Sequence, residues 1–113
     1  MSRPNKLVQS PPFAVEQTLR QLGGNLRLAR VRRSLTISDV AERIGTGPRA
    51  VMDAEKGKPA TSIVVYAGLL WLYNQLDQLE EVADSSRDSE GLSLVAVKER
   101  QRVRKGKGLD NDF

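Results

Sequence analysis

Residues 36–57 hold two short helical stretches on either side of Gly45-Thr46-Gly47, and few folds accommodate that arrangement. Thr36-Ile37-Ser38-Asp39 is a helix start, because the Thr36 hydroxyl can cap and Asp39 sits favourably at the positive helix end. Val40, Ala41 and Ile44 then make a short apolar face, and Gly45 stops the helix. Gly47-Pro48 opens the next helix, where proline at the first helical position sacrifices no hydrogen bond. There Ala50, Val51 and Ala54 point inward, Arg49, Met52 and Asp53 point outward, and Lys56-Gly57 ends the run. Two short helices joined by a glycine turn form a helix-turn-helix. Its second helix must stand proud enough to enter a groove about 12 Å wide, while the first crosses the nucleic-acid backbone.

Neither short helix can bury its apolar face alone, so the flanks must supply the core. From Phe13, Leu19, Leu22, Leu26 and Ala29 recur at helical spacing, with Arg20, Arg27, Arg30, Arg32 and Arg33 between them. Gly23-Gly24 predicts a break or bend, since each glycine costs roughly 1 kcal/mol relative to alanine. Downstream, Thr61 or Ser62 caps a helix to about Asn74 that is apolar nearly all round. Leu76, Leu79 and Val82 mark a short helix ending before Asp84-Ser85-Ser86. Residues 92–97 read equally as helix or strand. The expected fold is therefore all-α: a helix-turn-helix domain at 13–83, a flexible basic arm at 1–12, a short interaction segment at 84–97, and a basic disordered tail at 98–113.

Charge and missing residue types narrow the chemistry. Residues 1–33 hold seven basic side chains and one acidic, 34–97 hold five and ten, and 98–108 hold six and one. Basic ends around an acidic middle fit a protein that meets a polyanion with particular surfaces. There is no cysteine and no histidine. That removes disulfides, the usual zinc sets and the commonest nucleophile–base pairs. No motif supports carboxylate or lysine catalysis, so the chain reads as a binding protein, not an enzyme, with no cofactor or metal. The longest apolar stretch, 63–73, is too short to span a bilayer, so the expectation is a soluble cytoplasmic protein with no membrane partner.

Leu28-Ala29-Arg30-Val31-Arg32-Arg33-Ser34-Leu35-Thr36, then Val40-Ala41-Glu42-Arg43-Ile44-Gly45, then Val51 and Glu55-Lys56-Gly57, resemble the Xre/lambda-repressor family of DNA-binding domains. The resemblance implies a compact five-helix lambda-repressor-like domain. It also implies a structural pair, Arg30 with Glu55, locking the first helix to the recognition helix, as a bidentate arginine–carboxylate contact would. The readout positions depart from the family. Ile37 stands where relatives often carry glutamine, and Gly47 and Pro48 stand where polar residues usually open the recognition helix. Arg49 can reach a guanine edge or a phosphate. Asp53, one turn on, either accepts from a cytosine amino group or holds Arg49 on the same face. Lys56 and Lys58, with the amides around Thr36 and Ser38, suit phosphate, and Thr46, Pro48 and Met52 complete the candidate DNA-facing set.

The order of parts beyond the domain is similar to the HipB-type antitoxins. The likeness rests on length, on Ser62-Ile63 and Tyr66-Ala67, and on a basic C-terminus closing in Gly108-Leu109-Asp110-Asn111-Asp112-Phe113. This resemblance implies a nucleoid-associated bacterial repressor that dimerises, binds an operator in its own promoter and neutralises a HipA-like serine/threonine kinase toxin. A homodimer also follows from geometry, because one recognition helix reads too few base pairs for tight specific binding and a two-fold dimer on a palindromic double-stranded operator solves that. Trp71, Leu72, Tyr73, Leu92, Leu94 and Phe113 are the interface candidates, although Trp71 and Tyr73 also fit a small core. Residues 98–107 suit DNA phosphate, a protein partner or solvent. Two alternatives stay open: a stand-alone phage-like repressor, and a protein-binding adaptor that has lost operator reading.

Overall fold

The computed structural model describes residues 5–108, with side chains through Lys105. Every regular element among them is helical. The chain divides into two compact units, the first ending at Leu79 and the second beginning at Glu80. That division lies earlier than residue 84, where the expected domain boundary fell. Leu76 and Leu79 pack against the core of the first unit, whereas Val82 is exposed and Ala83, in the turn after the helix has ended at Glu80, adopts a left-handed φ of 61°.

Where an irregular arm was expected, Lys6–Gln9 forms one helical turn, α1. The Asn5 side chain accepts hydrogen bonds from the Leu7 and Val8 amides, a local cap that starts the turn. Helix α2, Phe13–Arg32, runs through Gly23-Gly24 without a break. Gly23 is buried against the end of α4 (Pro48–Glu55), and a Cβ there would sit 2.5 Å from the Glu55 carbonyl oxygen. The glycine brings two helices together instead of bending one.

Helix α3, Ile37–Ile44, carries the cap that its sequence announces. Thr36 Oγ1 accepts from the Asp39 amide at 3.0 Å, and Asp39 Oδ2 accepts from the Thr36 amide at 3.0 Å. Gly45, at φ 80°, takes the left-handed position that ends α3, and its amide donates to Ala41 and Glu42 carbonyls. Gly47 is the N-cap of α4 and Pro48 its first residue. Ser62, not Thr61, supplies the cap of α5 (Ile63–Leu72). Val40, Ala41, Val51 and Ala54 from the two short helices meet Leu26 of α2 and Leu69 of α5 in one core. Helix α6, Leu76–Glu80, follows.

The reciprocal cap gives a testable pH signature. The backbone amide of Thr36, then its hydroxyl, and more weakly Arg43, hold the Asp39 carboxyl below the usual aspartate range. Because the folded value is the lower one, this stabilisation is complete above the unfolded pKa and disappears as pH falls through the folded pKa. In an NMR pH titration Asp39 will titrate below a free aspartate, and Thr36→Ala will move it part of the way back. An Asp39 midpoint at the free value would show that the cap does not persist in solution.

In the second unit, a 3-10 turn at Ser85–Arg87 leads into α7, Ser89–Gly108. Residues 92–97 are therefore helix, not strand. The Asp88 carboxylate accepts from the Gly91 amide at 2.9 Å and starts the helix, and a strand would need a pairing partner that no other described segment offers. Residues 98–108, expected to be disordered, continue α7. Arginine, lysine and glutamine are good helix formers, and Glu99 pairs with Arg102 one turn on. Residues 109–113, and with them Phe113, lie outside the described residues. Among the described residues no helix is long and apolar enough to cross a membrane.

Candidate nucleic-acid interface

Beside the core packing of Val51 and Ala54, one charged contact ties α4 to α2. Arg30 Nε lies 2.7 Å from Glu55 Oε2 and its Nη2 lies 3.0 Å from Oε1, a bidentate pair joining the end of α2 to the end of α4. Arg30 Nη1 also donates to the Leu35 carbonyl at 2.9 Å, which ties in the loop before α3. Both side chains are largely withdrawn from solvent, at 13% and 6% exposure. The Glu55 hydrogen bonds raise the Arg30 pKa against the opposing effect of burial. Burial pushes the Tyr73 phenol up as well, and the negative charge of Glu55 adds to this. The pair is scaffold: its hydrogen bonds point inward, and it fixes the angle at which α4 is presented.

Around this pair the side chains that reach outward are mostly cationic. Arg27, Ile37, Met52 and Lys56 line a shallow depression with Arg30 and Glu55 at its base. Lys56 and Lys58 also border a second depression, shared with Arg20 and the turn at Val8 and Pro11. Arg49, three-quarters exposed, projects from the first turn of α4. Asp53 Oδ1 stands between two cations, 3.5 Å from Arg49 Nε and 3.3 Å from Lys58 Nζ. Asp53 therefore pairs with both Arg49 and Lys58. The Thr36 hydroxyl and the exposed Ser38 mark the start of α3, where first-turn amides have no intrahelical acceptor. Thr46 is half-buried in the turn, with its amide given to the Ala41 carbonyl, and Pro48 has no amide proton to offer.

No family model matches this chain, and no curated protein or solved structure does either. The functional reading rests on the residues themselves.

Two cations of this surface were not among the sequence candidates. Arg20 and Arg27 stand seven residues apart, two turns on one face of α2, and that spacing was the available signal. Two interface candidates fall elsewhere. Tyr73 is 2% exposed and belongs to the core, where the Arg33 guanidinium stacks 5.1 Å from its ring centre and donates to its carbonyl at 3.1 Å. Leu72 is half-buried against that core. Trp71 stays 60% exposed on α5, and Leu92 and Leu94 are exposed on α7.

Proposed function

We propose that this chain is a DNA-binding transcriptional regulator whose first unit is a lambda-repressor-like helix-turn-helix, with α2 to α6 as its five helices and α4 as the recognition helix. One observation carries the reading. The Arg30/Glu55 pair clamps α4 in place while Arg20, Arg27, Lys56 and Lys58 gather beside it and Arg49 projects from its first turn. In this role the lysines and α2 arginines take phosphate, and Arg49 reads a guanine edge or a neighbouring phosphate. The finer reading is a homodimeric autorepressor on a palindromic operator, the antitoxin of a HipB-type pair whose partner is a HipA-like kinase. The likeness of residues 28–57 to the Xre family supports the broad class, and the order of parts supports the finer one.

A specific observation favours a second reading. Ile37 and Met52 place apolar surface in the depression beside α4, and Asp53 draws on the two nearest cations. A protein-binding adaptor built on the same fold would look like this.

Titration against the chain's own upstream DNA and a scrambled duplex, at two salt concentrations, separates the two. A regulator binds the native duplex preferentially. Its affinity falls with salt, and the double variant Lys56→Ala/Lys58→Ala lowers the slope of log K against log salt by about 1 for each phosphate left without its lysine. Arg49→Ala costs about 1–3 kcal/mol on the native duplex if it reads a base. Weak binding to both duplexes without salt dependence would replace the regulator with the adaptor.

A further inference from the structure

Residues 98–105 carry five cations and one carboxylate, a net +4 that equals the net charge of the whole chain, so all other residues together balance. The five cations lie in the second half of α7 and are exposed. Among the described residues only Arg102 has a carboxylate within reach, Glu99 at 3.5 Å in an exposed pair. In the first unit, by contrast, Arg20 pairs with Glu16, and Arg49 and Lys58 share Asp53. Upstream, the nearest other carboxylate of α7 is Glu90, about 12 Å along the helix from Lys98. That exceeds the ~8 Å screening length of physiological salt.

The helical turn sorts these residues by side. Lys98, Arg102 and Lys105 stand four and three apart and form one row, and Arg100 and Arg104, four apart, form a second. The rows flank Gln101, so the cations together cover about 200° of the helix circumference. Glu99 and Val103 keep to the remaining side, with Leu92 and Ala96. We propose that this half of α7 is a second DNA-binding element, seated in the major groove of a duplex with one row toward the phosphates of each strand. A groove about 12 Å wide admits an α-helix, and phosphates line both of its walls. A flat membrane would meet one row only, and Glu99 interrupts the apolar row with which α7 would enter lipid. The helix has no aromatic residue on which single-stranded bases could stack, and the major groove of an RNA duplex is too narrow for side chains. Because the contact is to phosphate, it is independent of sequence.

This element shares its ligand with the α4 reading but none of its residues, and a scrambled duplex tests it apart from any operator preference. Fluorescence anisotropy of the full chain on a labelled scrambled duplex, over a range of salt, gives the slope of log K against log salt. Lys98→Gln/Arg102→Gln/Lys105→Gln will make that slope shallower by about 2.7 and Arg100→Gln/Arg104→Gln by about 1.8, at ~0.9 for each phosphate left without its cation. Glutamine is a comparable helix former, so α7 persists in both variants. Arg32→Gln/Arg87→Gln removes as much charge as the second variant from exposed sites outside α7 and will leave the slope unchanged. The ratio of native to scrambled affinity, which tests α4, will not move in any of the three. The proposal is overturned by no binding to the scrambled duplex, by a slope that neither row alters, by a loss confined to one row, or by an equal loss in the Arg32/Arg87 control. Binding to phosphatidylserine vesicles that the row variants abolish, with the duplex slope intact, would overturn it too and make a membrane the partner.

Discussion

Replacing Glu55 by alanine will destabilise the first unit by about 3–5 kcal/mol, because it leaves the Arg30 guanidinium largely buried with no anionic partner. Small domains have about 5–15 kcal/mol in total, so this change removes a large part of the stability. The double replacement Arg30→Met/Glu55→Met removes both charges and keeps apolar volume, and it will recover most of the loss. The comparison matters because a buried pair can be costly to break while adding little net stability over an apolar one. Urea unfolding followed by far-UV circular dichroism will give both values. Glu16→Ala is the control: it breaks an exposed pair with Arg20 at the same 2.7 Å separation and will cost less than about 0.5 kcal/mol. A Glu55→Ala loss as small as the control would mean that the pair is solvated in solution and does not set the position of α4.

Legibility followed the range of the interactions concerned. The Thr36 and Asp39 cap, the stop at Gly45 and the proline start at Pro48 all act within one helical turn, so neighbouring residues reveal them. Tertiary contacts were harder to read. Tyr73 follows a run of apolar residues that offers no sign of which ring turns inward, and the residues that meet it, Leu26 of the core cluster and Arg33 over its ring, are distant in sequence. The charged segment 98–108 looked unstructured by composition alone, yet its residues are individually good helix formers continuing a helix begun at Ser89. In the candidate interface, Arg49, Lys56 and Lys58 were legible from the motif. Arg20 and Arg27 became recognisable once α2 was seen to run straight through Gly23 and bring them beside the end of α4.

The two adjacent glycines of α2 will respond to alanine with opposite signs. A Cβ on Gly24 meets no heavy atom within 4 Å. Its substitution exchanges a poor helix former for the best and will stabilise the unit by about 1 kcal/mol. At Gly23 the same methyl would fall 2.5 Å from the Glu55 carbonyl oxygen and 2.7 Å from that of Ala54. Both atoms are backbone near the end of α4, so no side-chain rotation relieves the overlap. The helices must separate, and because Glu55 belongs to the same turn, separation also strains its contact with Arg30. Overpacking of this kind costs about 1–3 kcal/mol, and with the buried pair disturbed the net loss for Gly23→Ala will fall at the upper end of that range despite the gain in helix propensity. Urea midpoints at an unchanged m-value will decide the matter. If both variants were stabilised, α2 and α4 would have to stand farther apart than the Gly23 contact requires, and the clamp on α4 would lose its geometric basis.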